Sequence, residues 1–270
     1  LLLVPLTRSR GLSLVPARPP VFAEFELIGE VCSSPKARMA QASGLSAFLA
    51  PRKAFVRRGG CVKIGAMNSA TFHSSPNCDA RPESMGVSLI VIHAISLPPD
   101  RFGGAGVEQL FTNRLDLLEH PYYAGIQHLR VSAHYFIRRT GELIRFVAPE
   151  LRAWHAGMSN WRGRERCNDF SIGIELEGCD SLPFEAAQYA VLATLLASLC
   201  ERFPIEGVTG HSDIAPGRKT DPGPYFSWAR LYGLLMAAGR ADVANRIEPT
   251  VSSSDEKLMR WPFPLGERPA

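Results

Sequence analysis

The 270-residue sequence contains no apolar run of the 18 or so residues needed to cross a bilayer, so no membrane span is expected. A basic stripe with interleaved aromatics is missing too. The formal charge of +4 is concentrated before Met67, where ten Lys and Arg face three acids. From Met67 onward 20 basic residues stand against 23 acidic ones, so the part able to fold is slightly acidic and nucleic acid is not an expected partner. Paired cysteine spacing is also lacking. Cys32, Cys61, Cys78, Cys167, Cys179 and Cys200 fit neither a disulfide framework nor a structural metal pattern, which points to a reducing compartment. An export leader is not legible either: the apolar Leu1-Leu2-Leu3-Val4 precedes Arg8 and Arg10, and Pro5 interrupts it, the reverse of the signal-peptide order. An Arg-rich transit peptide over the first 22 residues is the weaker alternative.

What is present suits one catalytic domain. A hydrophobic content of 46% is enough to bury a core. Residues 1–66 are scattered with Pro and Arg and hold no sustained period, so they are expected to be a poorly ordered extension. They begin without Met; because the family likeness given below starts only near Met67, the alternative that they are a translated upstream stretch absent from the natural protein stays open. The domain is placed at residues 67–240. Residues 241–270, with Ser252-Ser253-Ser254 and four prolines, read as a loose tail. Strands are expected near 87–93, 132–137, 142–147 and 170–177, and helices near 105–115, 184–203 and 226–238. The order suggests α/β or α+β. The helix after Pro183 carries an apolar stripe at Tyr189, Leu192, Leu196, Leu199 and Phe203, and Pro204 ends it.

The densest chemical signal is Thr209-Gly210-His211-Ser212-Asp213-Ile214-Ala215-Pro216-Gly217-Arg218-Lys219-Thr220-Asp221-Pro222-Gly223. It brings an imidazole, an ammonium and a carboxylate onto one turn-rich segment, read as a loop held by backbone turns. A catalytic zinc site needs three protein ligands and an open fourth position, and two of the three are legible here as His211 and Asp221. The third must come from elsewhere. Among His73, His93, His120, His128, His134 and His155, the best local context belongs to His93, at the end of the β-branched run Val87-Ser88-Leu89-Ile90-Val91-Ile92. A second strand, Phe170 to Glu177, sends Ile172, Ile174 and Leu176 to one face and Gly173, Glu175 and Glu177 to the other. Glu177 is either solvated or paired with an arginine. His134 reads as a packed hairpin residue, His155 is ambiguous between groove and core, and Cys167 reads as an inert thiol with no base beside it.

With these residues in view, the chain resembles the zinc N-acetylmuramoyl-L-alanine amidases, and within them the cytoplasmic AmpD family that cleaves anhydromuramyl peptides in cell-wall recycling. The match is carried by Val91-Ile92-His93, Arg130-Val131-Ser132-Ala133-His134, Trp154-His155-Ala156-Gly157, Gly163 to Asp169, Ile172 to Gly178 and the loop above, over about Met67 to Leu235. The resemblance implies a mixed central sheet flanked by helices, with the zinc site in a surface groove. It implies His93, His211 and Asp221 as Zn2+ ligands, Glu175 as acid/base residue and Lys219 as the cation beside the reacting carbonyl. Arg130, Trp154 and Arg166 are implied to line the substrate groove, the arginines for peptide carboxylates and the indole for a sugar face. One departure stands out: the family usually carries Asn after the first ligand, where this chain has Ala94, which implies one substrate hydrogen bond fewer.

The expected protein is therefore a cytoplasmic, monomeric hydrolase of the amide between (anhydro-)N-acetylmuramic acid and L-alanine. Two alternatives remain at this point. An exported or phage-type amidase acting on intact peptidoglycan calls for an export route or a wall-binding repeat, and neither is legible. A non-catalytic peptidoglycan-recognition module characteristically loses a zinc ligand, and all three candidates are in place here.

Overall fold

The computed structural model describes residues 70–248. The extension over 1–66 and the end of the expected tail, 249–270, lie outside the described residues. The chain opens with β1 (Thr71–Phe72), β2 (Cys78–Ala80) and the longer β3 (Leu89–Ile95), followed by helices α1 (Gly106–Phe111) and α2 (Tyr122–Ile126). Its middle forms β4 (Tyr135–Ile137), β5 (Leu143–Arg145), β6 (Leu151–Ala153), β7 (Asn160–Trp161), β8 (Arg164–Glu165) and β9 (Ser171–Glu177). It closes with α3 (Ala186–Arg202), β10 (Gly207–Gly210), α4 (His211–Ile214), α5 (Trp228–Ala237) and α6 (Ala241–Ala244).

Six strands form one sheet in the order β1-β5-β4-β9-β3-β10. Strands β4, β9, β3 and β10 run parallel and β5 runs antiparallel to β4, so the sheet is mixed, as expected. The central strands are buried on both faces, which is why β3 reads as an unbroken apolar run rather than an alternating one. Ile90, Ile92, Ile172, Ile174 and Leu176 face Tyr189, Leu192, Leu195, Leu196 and Leu199 of α3 together with Trp228, Leu231 and Leu235 of α5. On the opposite face Leu89 and Val91 pack with Trp161, Cys167, Phe170 and Ile214. The helical layer thus leaves the other face to loops and short elements, and that face carries the site.

Helix α3 starts at a capping box, with Gln188 and Glu185 satisfying each other's backbone groups, and its stripe is buried as far as Leu199. Glu177 is buried and accepts hydrogen bonds from the backbone N–H groups of Gly103 and Arg139, with Arg138 3.6 Å away, so its place is paired rather than solvated. Two expectations need correction. The tail does not begin at 241: Val243 and Ala244 of α6 are buried in the main core, and Val208 bridges to Ile247. The segment from Thr209 is not loop throughout, because Thr209 and Gly210 end β10 and His211–Ile214 form a single helical turn.

Candidate metal centre

Parallel pairing puts three chemistry-bearing residues side by side. Register sets His93 of β3 opposite Glu175 of β9, while Gly210 of β10 lies opposite Ile92, so His211 emerges one step beyond it beside His93. All three stand at carboxyl ends of strands in a largely parallel sheet, where the backbone splays and a crevice opens. The corner between β10 and α4 is fixed by Asp213, whose Oδ2 accepts from Gly210 N and Thr209 Oγ1, both at 2.8 Å. A Cβ at Gly210 would lie 2.9 Å from Pro222 Cδ, so the absent side chain lets the end of the loop fold back. Ser212 N donates to the backbone carbonyl of Asp221 at 2.9 Å and holds that residue over the helical turn.

His93 Nδ1 and His211 Nδ1 are 3.0 Å apart, and each is 3.1 Å from Asp221 Oδ2. A tetrahedral site with metal–ligand distances of 2.0–2.1 Å has edges of about 3.3 Å, so this triangle fits one ion. The donor chemistry fits as well. His211 Nε2 faces the carbonyl of Ala156 at 3.1 Å and must donate to it, so in the neutral ring that binds a metal Nδ1 is the lone pair aimed at the other two ligand atoms. Arg218 donates to the same carbonyl at 2.9 Å and holds it in place. Burial would raise the Asp221 carboxyl, yet the neighbouring imidazoles, His211 foremost, keep it well below the usual carboxylate range, so it stays an anion. Burial and then the His211 charge push His93 down to about 4, so its ring is neutral. Two imidazoles and one carboxylate are the donor types that zinc takes.

Glu175 and Lys219 line the same pocket, together with Ala94, Leu110, Ser132 and His155. Burial, reinforced by the Asp221 charge, raises the Glu175 carboxyl well above its ordinary value, and its Oε2 is buried with no hydrogen-bond partner among the described residues. Burial lowers the Lys219 ammonium while Asp221 opposes the shift. A second pocket shares Ala94, Ile95, Leu110 and Asp221 with the first and runs on past Tyr122, Asp180 and Thr220, so the site opens along a groove. Ala94 is half-buried in its wall.

Arg130, Trp154 and Arg166 are not brought into either pocket wall. Arg130 is exposed and donates to the carbonyls of Gln127 and Leu129. Trp154 is half-buried and its indole donates to Asp79 at 3.2 Å, while the exposed Arg166 pairs with Asp169 at 3.2 Å. Their chain neighbours do line the site, Val131 and Ser132 beside Arg130 and His155 beside Trp154. His155 was ambiguous in sequence; the structure buries it against His93, with ring nitrogens 3.0 Å apart. His134 is packed as expected: its Nδ1 accepts from Gly173 N and its Nε2 donates to Leu151 O, each at 3.0 Å. Arg81 had no sequence signal. Its half-buried guanidinium donates to the carbonyls of Asn168, Asp169, Pro149 and Ser171, tying the start of β9 to the loops over the site.

Residues 83–224 match the family model for N-acetylmuramoyl-L-alanine amidase. The chain is 53% identical over 171 residues to the 1,6-anhydro-N-acetylmuramyl-L-alanine amidase AmpD of Citrobacter freundii, covering 63% of this chain and 91% of that one. It is 55% identical over 163 residues to the AmpD of Escherichia coli, covering 60% and 89%. A crystal structure of a selenomethionine AmpD derivative superposes with a TM-score of 0.60 at 55% identity, over 62% of this chain and 94% of that one. The chain belongs to the N-acetylmuramoyl-L-alanine amidase family, and within it to the AmpD type.

Proposed function

We propose that this protein is a zinc amidase of cell-wall recycling, hydrolysing the amide between anhydro-N-acetylmuramic acid and L-alanine in cytoplasmic muropeptides. The observation that carries the reading is the convergence of His93, His211 and Asp221 within 3.1 Å of one another, in a pocket that also holds Glu175 and Lys219. The AmpD relatives support the substrate class by their names, which specify the 1,6-anhydro-N-acetylmuramyl-L-alanine bond. Four thiols, Cys78, Cys167, Cys179 and Cys200, are free, which supports a reducing compartment. No helix among the described residues is long and apolar enough to cross a membrane.

His93, His211 and Asp221 would hold the ion. Zinc in such a site supplies Lewis-acid polarisation of a carbonyl and makes water a competent nucleophile near neutral pH. The protein's own side chains handle the protons. Glu175 takes a proton from the attacking water and delivers it to the alanine nitrogen, so that the C–N bond breaks to a neutral amine rather than an amide anion. Its burial suits this role, because a carboxyl raised above its ordinary value holds the proton it takes from water until the nitrogen can receive it. The Lys219 ammonium faces the charge that grows on the carbonyl oxygen, a contribution of about 3 kcal/mol for a fixed donor. Arg130, Trp154 and Arg166 remain proposed contacts of the longer substrate, for groups that project beyond the pocket.

The test is a side-by-side rate comparison of the zinc-loaded protein on anhydromuramyl tripeptide and on polymeric peptidoglycan. Preference for the soluble fragment is the expected result. Equal or faster release from the polymer contradicts the recycling role while leaving the amidase chemistry in place.

A further inference from the structure

His155 lies outside the three ligands, yet it forms the second link of a buried chain that ends on one of them. Its Nδ1 is 3.0 Å from His93 Nε2, and its Nε2 is 3.2 Å from Ser171 Oγ. Ser171 Oγ is in turn 2.5 Å from the carbonyl oxygen of Cys167. The direction of every hydrogen bond follows from that far end. A carbonyl only accepts, so the single hydroxyl proton of Ser171 goes to Cys167. Ser171 then has only lone pairs left for His155, so His155 Nε2 carries the N–H. A neutral imidazole has one N–H, which makes His155 Nδ1 an acceptor and puts the next proton on His93 Nε2. His93 Nδ1 is left with a bare lone pair, and that is the atom 3.0 Å from His211 Nδ1 and 3.1 Å from Asp221 Oδ2.

The surroundings hold the link in place. Asn168 Oδ1 accepts from the backbone N–H groups of His155 and Ala156 at 3.1 and 2.8 Å. Gly173 lies against the ring, since a Cβ there would sit 2.5 Å from His155 Cγ. Ser171 is fully buried, so no water competes for its lone pairs. His134 stays out of the chain because both its nitrogens are taken by backbone groups.

We propose that Ser171 and His155 are positioning residues that form a tautomer relay, fixing the proton of His93 on Nε2 so that its Nδ1 lone pair is kept for the metal. The proposal rests on the reading of His93 as a ligand. Without the Ser171 acceptor, the His155 proton is free to move to Nδ1, and His93 must then accept at Nε2 and carry its own proton on Nδ1, where it blocks coordination. Such outer contacts to a ligating histidine are typically worth about tenfold to a hundredfold in metal affinity.

The experiment uses the full chain stripped of metal, with zinc affinity measured by competition against a chromophoric chelator and folding checked by melting. A second readout, nitrogen-15 NMR of histidine-labelled metal-free protein, reports which His93 nitrogen carries the proton. His155→Leu and Ser171→Ala are expected to fold, to bind zinc about tenfold to a hundredfold more weakly, and to lose the exclusive Nε2–H form of His93. His155→Asn, whose Oδ1 can stand where Nδ1 stands, is expected to recover most of the affinity. Parent-like affinity in both Leu and Ala variants overturns the relay, as does an Asn variant as weak as Leu, which would mean that the ring acts by packing alone. A parent protein that binds no zinc overturns the metal centre itself, and the relay with it.

Discussion

At Asp221 burial and the neighbouring imidazoles act in opposite directions, and the imidazoles win. The carboxyl remains ionised because two imidazoles face it, and an ionised carboxylate beside two imidazole nitrogens is a fitting site for a cation. His93→Ala or Asp221→Ala leaves two ligands, so both variants are expected to lose bound zinc and turnover while the fold persists. Metal analysis of the purified variants checks this, and full occupancy in either contradicts the ligand set. Glu175→Gln keeps shape and removes the proton acceptor, so zinc content is expected to hold while turnover falls about a hundredfold or more. A near-native rate would place proton transfer elsewhere. His211, Lys219 and Asp221 were legible because one short segment carries all three, and His93 because it ends an apolar run. The partnership of His155 with His93 was not, since it spans 62 residues and leaves no local period. The resemblance placed Arg130, Trp154 and Arg166 in the groove, but a motif does not report side-chain direction, and the structure turns them toward Gln127, Asp79 and Asp169.

Elements β3, β9 and α3 were legible for the same reason that they are stable: each has enough residues to show its period and bury it. Strand β10 and helix α4, four residues each, carry no period, so the stretch from Thr209 read as loop although it forms the third rail of the site. The register between β3 and β9 is what sets His93 beside Glu175, and a one-residue slip would send one of them to the helical face. Gly173 sits within that register. Gly173→Ala drives a methyl into the His155 ring, so the variant is expected to lose about 1–3 kcal/mol and to bind zinc more weakly. Leu192→Ala, on the opposite face, is expected to cost about 2–5 kcal/mol with zinc affinity unchanged. Urea denaturation paired with chelator competition separates the two, and equal metal affinity in both variants would contradict the link between Gly173 and the site.

At the scale of the whole described body, residues 70–248 hold the six-stranded sheet, pack against both its faces and supply His93, Glu175, His211, Lys219 and Asp221 to one pocket. Removing residues 1–66 is therefore expected to leave Tm and turnover unchanged, and a large loss of either would mean that the extension packs on this body. Zinc binds the folded state alone in this account, so free zinc at 100 times Kd is expected to add about 2.7 kcal/mol of stability and raise Tm, an increment abolished by a chelator. The amidase cuts one bond, between the lactyl carbonyl and the L-alanine nitrogen. Hydrolysis of anhydromuramyl tripeptide by the zinc-loaded protein in oxygen-18 water, with both products weighed by mass spectrometry, tests it most directly. The predicted result is one heavy oxygen in the lactyl carboxylate of the anhydro sugar and an unlabelled tripeptide with a free L-alanine amine. Label in the peptide, or an intact substrate, would contradict the account.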